Sequence, residues 1–135
     1  MANALYDPGR EGVLDRTIDV TAGTIKVGLV RGYTFSGSHK FVSDLTGAGG
    51  TVVANVALAS KTYTSGVFNA ANAVLAAVTT GAACAALIVY NDTGSDATSR
   101  LLAFIDSAGG TLPVTPNGGD VDVNWDTGAN KIFKL

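Results

Sequence analysis

Residues 84–107 read CAALIVYNDTGSDATSRLLAFIDS and decide the fold. The first segment, Cys84–Tyr90, is a nearly continuous apolar run, and its length and β-branched content are typical of a strand covered on both faces. A cluster of turn-forming residues follows at 91–96. From Arg100 to Ser107 the chain returns with apolar side chains on both sides. We therefore predict a hairpin at the centre of the core.

Further strand patterns lie on either side of this hairpin. Residues 24–31 and 120–126 alternate apolar and polar side chains with the period of two that indicates a half-buried strand. In the second segment, Val121, Val123 and Trp125 share one face. Residues 51–60 form a further clear strand pattern, in which Val52, Ala54, Val56 and Leu58 share one face. Strands are also predicted at residues 61–67, 73–78 and 131–135. Roughly seven to nine short strands separated by turns predict an all-β fold, a jelly-roll or Greek-key sandwich.

The composition of the chain supports one β-rich domain. The 135 residues suit a single domain, and a hydrophobic content of 47% is enough for a sizeable core and excludes a disordered chain. There is one Glu and no Gln, so strong helix formers are scarce, whereas the strand formers Val and Thr are abundant. We expect a single domain over residues 1–135, with an N-terminal arm or short helix at 1–16 and a β-sandwich at 17–135.

The N-terminal residues are the exception to the β pattern. Asp7 directly precedes Pro8, which is the residue pair favoured at the N-cap and first position of a helix. The sequence therefore predicts a short helix over residues 8–16. A single helical turn is also expected at Phe41–Leu45.

The charge of the chain excludes several classes of partner. The net charge is −2, and only 15% of the residues are charged, against roughly 25% in soluble domains generally. This balance argues against a nucleic-acid partner and against a basic membrane-binding patch. No apolar stretch approaches the roughly 20 residues of a membrane span, and no secretory signal peptide is expected.

Candidate chemical groups are few. A zinc site needs several His or Cys ligands, and the chain has only His39 and Cys84. We expect His39 to have a surface or packing role and Cys84 to be a small core residue. The carboxylates of Asp120, Asp122 and Asp126 are expected on a solvated strand face. We therefore expect no catalytic residue, no cofactor, no metal ion and no enzyme activity.

Three stretches of the chain carry a resemblance to known proteins. They are residues 4–11 together with 24–27, residues 92–101, and residues 112–135, of which the last is the most specific. This pattern resembles a family of small virion proteins encoded among the structural genes of tailed bacteriophages. The resemblance implies a capsid cement, or decoration, protein of jelly-roll type. Such a protein binds across junctions of the major capsid protein and stabilises the phage head.

The resemblance also implies partners and a location. The partners are the major capsid protein and further copies of the chain, as a dimer or trimer. The location is the capsid surface of the virion, after synthesis in the host cytoplasm. The residues that we expect to contact the shell or a sister subunit are Leu5, Tyr6, Arg10, Ile132, Phe133 and Leu135. The alternative is that these side chains complete the domain's own core.

Two other functions remain open at this point. One is a phage tail component, either a fibre tip or a tube protein. The other is a carbohydrate-binding module, for which Trp125, Tyr33 or Tyr63 would have to be exposed as a stacking platform.

Overall fold

The computed structural model describes residues 4–106, 112–125 and 131–134. In chain order, its elements are β1 (Ala4–Leu5), α1 (Asp7–Leu14), β2 (Thr24–Arg31), α2 (Val42–Gly47), β3 (Thr51–Ala57), a 3-10 turn (Thr64–Gly66), β4 (Val67–Phe68), β5 (Ala73–Leu75), β6 (Ala86–Asp92), β7 (Arg100–Ile105), β8 (Val121–Val123) and β9 (Phe133–Lys134). The described chain is thus mostly antiparallel β-sheet with short helices, as predicted. The jelly-roll arrangement stays a prediction.

The predicted hairpin lies at the centre of the largest sheet. Five antiparallel strands are ordered β1-β7-β6-β2-β3, so that β6 is the middle strand and pairs with β7 on one side and β2 on the other. Residues 86–90 of β6 and all six residues of β7 are buried. Their continuous apolar sequence follows from this position, because both faces of the middle strands are covered.

One face of the sheet is buried by two smaller sheets. These are the antiparallel pairs β4–β9 and β5–β8. Val27, Leu29 and Val89 of the large sheet belong to one apolar cluster with residues of the small sheets, namely Phe68, Leu75, Val121, Val123 and Phe133. The predicted alternation at residues 121–125 is confirmed, because Val121, Val123 and Trp125 are buried and the residues between them are exposed.

The opposite face is buried by α2 and by aromatic side chains. Ile88, one residue along from Val89, belongs to a second cluster with Leu45 of α2. Phe35 stacks on Phe104 of β7, with ring centroids 4.9 Å apart and planes 8° apart. Tyr6 lies against Phe35 at 5.1 Å. We call this second group of buried side chains the aromatic cluster.

The backbone of helix α1, which directly follows β1, comes very close to the backbone of β7. A Cβ atom added to Gly9 would lie 2.5 Å from the carbonyl oxygen of Leu101, which no real contact allows. The buried Arg100 guanidinium donates a hydrogen bond to the carbonyl oxygen of Pro8 over 2.6 Å. Only glycine lets the helix come this near, so Gly9 sets the position of α1.

Two local predictions were wrong. The N-cap of α1 is Tyr6 and not Asp7, because the aromatic cluster holds Tyr6 in an extended conformation and Asp7 instead enters the first turn. The strand predicted at residues 61–67 is found only at its last residue, where β4 begins at Val67, and residues 61–66 of the described chain have no strand pairing apart from a single bridge between Thr62 and Asn69. Ser65 has a φ of 55°, a turn conformation that no strand residue adopts.

The substitution Gly9→Ala tests the close contact between α1 and β7. It is expected to lower the free energy of unfolding by about 1–3 kcal/mol, the usual cost of overpacking. The matched control is Gly47→Ala in α2, where nothing lies within 4 Å of the added Cβ atom. Denaturant titration followed by circular dichroism measures both. Equal stability of the two variants would contradict the close approach of α1 to β7.

Candidate interaction surface

Residues of the first and last described strands line one groove of about 330 Å³. It lies between β1, the start of α1, the end of β7 and β9. Its lining residues are Ala4, Leu5, Arg10, Ala103, Phe104, Ile105, Lys131, Ile132, Phe133 and Lys134. A neighbouring hollow of about 320 Å³ shares Leu5, Arg10 and Lys134 and adds Leu14. We call the two together the β1–β9 surface.

Strand pairing in both layers builds this surface. On one side, β1 is an edge strand in which Ala4 pairs with Phe104 and Leu5 with Ala103. On the other side, β9 pairs with β4, and the ring of Phe133 stacks on Phe68 with centroids 5.0 Å apart. The surface thus rests on two sheets, and its position does not depend on a loop.

Three of the predicted contact residues are core residues. Tyr6 is 0% exposed, and its hydroxyl donates a hydrogen bond to the Tyr33 hydroxyl over 3.1 Å. Burial raises the pKa of the Tyr6 hydroxyl above its ordinary range. Ile132 and Phe133 are also buried and belong to the larger apolar cluster. Tyr6 is enclosed in the aromatic cluster, whereas Ile132 and Phe133 are buried in the cluster between the large sheet and the small sheets. Leu135 lies outside the described residues.

The remaining predicted residues lie at the surface, beside one that the sequence did not single out. Leu5 is half-buried, and Arg10 is exposed and forms an ion pair with Asp7 at 3.1 Å. Leu14 is 81% exposed, the highest exposure of any large apolar side chain in the described ranges. Gly9 and Gly12 are the buried residues of α1 and mark the face of the helix that contacts the sheet. Leu14 lies on the other face, so the spacing of the two glycines is the sequence signal for its exposure.

The β1–β9 surface combines apolar and cationic groups. Leu5 and Leu14 provide apolar area, and the cationic groups belong to Arg10, Lys131 and Lys134. These are three of the nine Lys and Arg residues of a chain whose net charge is −2. Arg10 is already paired with Asp7, so Lys134 is the cation of this surface that favours an apolar partner surface carrying carboxylates.

The groups with catalytic chemistry have structural roles. Nδ1 of His39 lies 2.8 Å from the hydroxyl oxygen of Tyr33, so the imidazole extends the hydrogen bond between the two tyrosines. Cys84 is fully buried, and this burial raises the pKa of its thiol and disfavours the reactive thiolate. In residues 4–106, 112–125 and 131–134, no three His, Cys, Asp or Glu side chains are grouped so as to hold a metal ion.

The aromatic side chains offer little stacking surface for a sugar. Trp125 is 8% exposed, and its Nε1 donates a hydrogen bond to the carbonyl oxygen of Ala71 over 3.0 Å. Tyr33 is half-buried, and its hydroxyl is engaged by hydrogen bonds with Tyr6 and His39. Tyr63 is 39% exposed, and its hydroxyl donates to the carbonyl oxygen of Val20.

The chain matches no protein-family model, and no curated protein matches it significantly. Within the part of the chain that the structure covers, none of the helices is long and apolar enough to cross a membrane.

The variant Tyr6→Phe tests whether Tyr6 is a core residue. Loss of its buried hydrogen bond to Tyr33 is expected to lower the free energy of unfolding by about 1 kcal/mol. The matched control is Tyr63→Phe, which removes a hydrogen bond from an exposed ring and is expected to cost less. Chemical denaturation measures both changes. A Tyr6→Phe protein as stable as the parent would contradict the enclosed position of this hydroxyl.

Proposed function

We propose that the protein is a cement protein of tailed-bacteriophage heads, which binds across junctions of the major capsid protein through its β1–β9 surface. One observation carries this proposal. Residues 4–11 and 112–135 belong to the stretches that resemble phage virion proteins, and side chains from both line the same groove. These two stretches are far apart in sequence, and the fold brings them to one surface.

The chemistry of the β1–β9 surface suits a protein partner. Full burial of a leucine side chain stabilises a complex by about 1.5–3 kcal/mol, and Leu14 is almost entirely available for such burial. The flanking ammonium group of Lys134 would orient a partner that carries carboxylates. The low charge of the rest of the chain reduces the cost of removing water from a wider contact, because interface cores are poor in charged groups.

Selective binding to the assembled shell accounts for the cementing effect. A ligand that binds only one state stabilises that state by mass action. A junction between capsid subunits exists only after assembly, so a protein that binds there opposes disassembly. Many copies on repeated sites add their separate contributions. The action needs rigid shape and an accessible surface, and no bond is made or broken.

The finer fold that we propose is a jelly-roll sandwich. The five-stranded sheet would form one layer, and the pairs β4–β9 and β5–β8 would form the other. The antiparallel pairing of every strand and the shared apolar cluster between the layers support this arrangement.

The experiment is a binding assay with purified heads assembled without this protein. The unmodified protein is expected to sediment with heads and to raise the temperature at which they release DNA. Leu14→Asp is expected to weaken binding about tenfold or more, since it replaces apolar burial by a buried charge.

The matched control is Ala97→Asp, an exposed residue in the β6–β7 turn. This turn lies at the end of β7 remote from residues 103–105, which line the groove. Ala97→Asp is expected to bind as the parent does. Binding to isolated tails alone would favour a tail component, and absence of binding to either particle would overturn the proposal. Equal binding of Leu14→Asp and the parent would exclude the β1–β9 surface as the contact.

A further inference from the structure

The two edges of the five-stranded sheet differ in length and charge. At one edge, β1 spans two residues and has the cationic side chain of Arg10 beside it. At the other edge, β3 spans seven residues, and the chain from Leu45 to Ser60 contains no charged side chain. Natural proteins usually protect an edge strand with charges, proline or short length. The β3 edge has none of these.

The backbone of β3 offers hydrogen-bonding groups on its outer side. The amide of Leu58 donates to the carbonyl oxygen of Ile25 over 2.8 Å, so Leu58 faces β2. Backbone hydrogen-bonding groups alternate in direction along an edge strand, so those of Val56 and Ala54 also point to β2. The N–H and C=O groups of Asn55 and Ala57 therefore point outward. Within the described residues, these outward groups have no hydrogen-bond partner. The register shift opposite Leu29 and Val30 falls at Val53, so the regular outward pattern covers residues 54–57.

We propose that a second copy of this chain pairs antiparallel with β3 and forms a dimer with a continuous ten-stranded sheet. A two-fold axis perpendicular to the sheet, near residues 55–57, brings each β3 strand against itself. Such self-pairing requires that no like charges meet across the axis, and the uncharged β3 sequence meets this condition. A partner of opposite charge has nothing to recognise at this edge, whereas an identical strand matches it in length and polarity.

The neighbouring side chains are compatible with the same axis. Lys26 pairs with Ala57 across β2 and β3, and its ammonium group forms an ion pair with Asp92 at 3.0 Å. The charge of Lys26 is therefore already compensated.

The geometry also specifies a dimer. Pairing through one open edge uses the same strand in both copies, so the assembly closes at two and leaves the β1 edges at its ends. A ring or tube would need two different complementary edges. This inference concerns the free protein and does not depend on binding to phage heads.

Sedimentation equilibrium tests the proposal. The unmodified protein is expected at twice the chain mass of 13.6 kDa. The double variant Asn55→Lys with Ala57→Lys places like charges opposite each other, whether residue 55 pairs with residue 55 or with residue 57 of the second copy. It is expected to weaken dimerisation at least tenfold, and so is the pair Asn55→Asp with Ala57→Asp. An equal mixture of the Lys and Asp variants is expected to recover the dimer mass, because opposite charges then meet across the axis.

The matched control is Asn55→Ser with Ala57→Ser, which keeps the edge neutral and is expected to remain dimeric. Recovery in the mixture also shows that the charged variants are folded. An unmodified protein that stays monomeric at every concentration, or that forms trimers, would overturn the proposal. So would charged variants that dimerise as tightly as the parent, or a mixture of the Lys and Asp variants that stays monomeric.

Discussion

The burial of strands β6 and β7 on both faces is the constraint on which the rest of the structure depends. Their ladder pairs Leu87 with Ile105 and Ile88 with Phe104, so apolar side chains leave the sheet on both sides. A sheet of this kind is stable only when two layers cover it. The small sheets supply one layer. The aromatic cluster and α2 supply the other, where the Asp44 carboxylate accepts hydrogen bonds from the amides of Lys40 and Phe41 at the start of the helix.

The same constraint determines where exposed surface remains. The middle strands are enclosed, so contacts with other molecules are left to the sheet edges and to the outer sides of α1 and β9. At one edge, the close fit of Gly9 on Leu101 holds α1 so that Leu14 points away from the sheet. At the other edge, the outward backbone groups of Asn55 and Ala57 in β3 have no hydrogen-bond partner among the described residues. The proposed shell contact and the proposed dimer contact therefore lie at opposite edges of one sheet, and a dimer would present two shell-binding surfaces.

The sequence predicted what depends on local periodicity and missed what depends on distant contacts. The central hairpin and the face shared by Val121, Val123 and Trp125 are confirmed, because a continuous apolar run and an alternating pattern both reflect burial directly. The exposed Leu14 was not predicted as a contact, because its orientation depends on how two glycines meet β7. Tyr6 was expected at an interface, yet partners 27 residues or more away, Tyr33 and Phe35 among them, enclose it. No local pattern carries that information.

The most direct test of this account is an electron cryo-microscopy reconstruction of heads that carry the protein. The account predicts density in which Leu14, Arg10 and β9 face the major capsid protein at a junction between subunits. It also predicts that paired copies meet along β3. A reconstruction in which the β1–β9 surface faces solvent, or in which the protein is found only on tails, would contradict it.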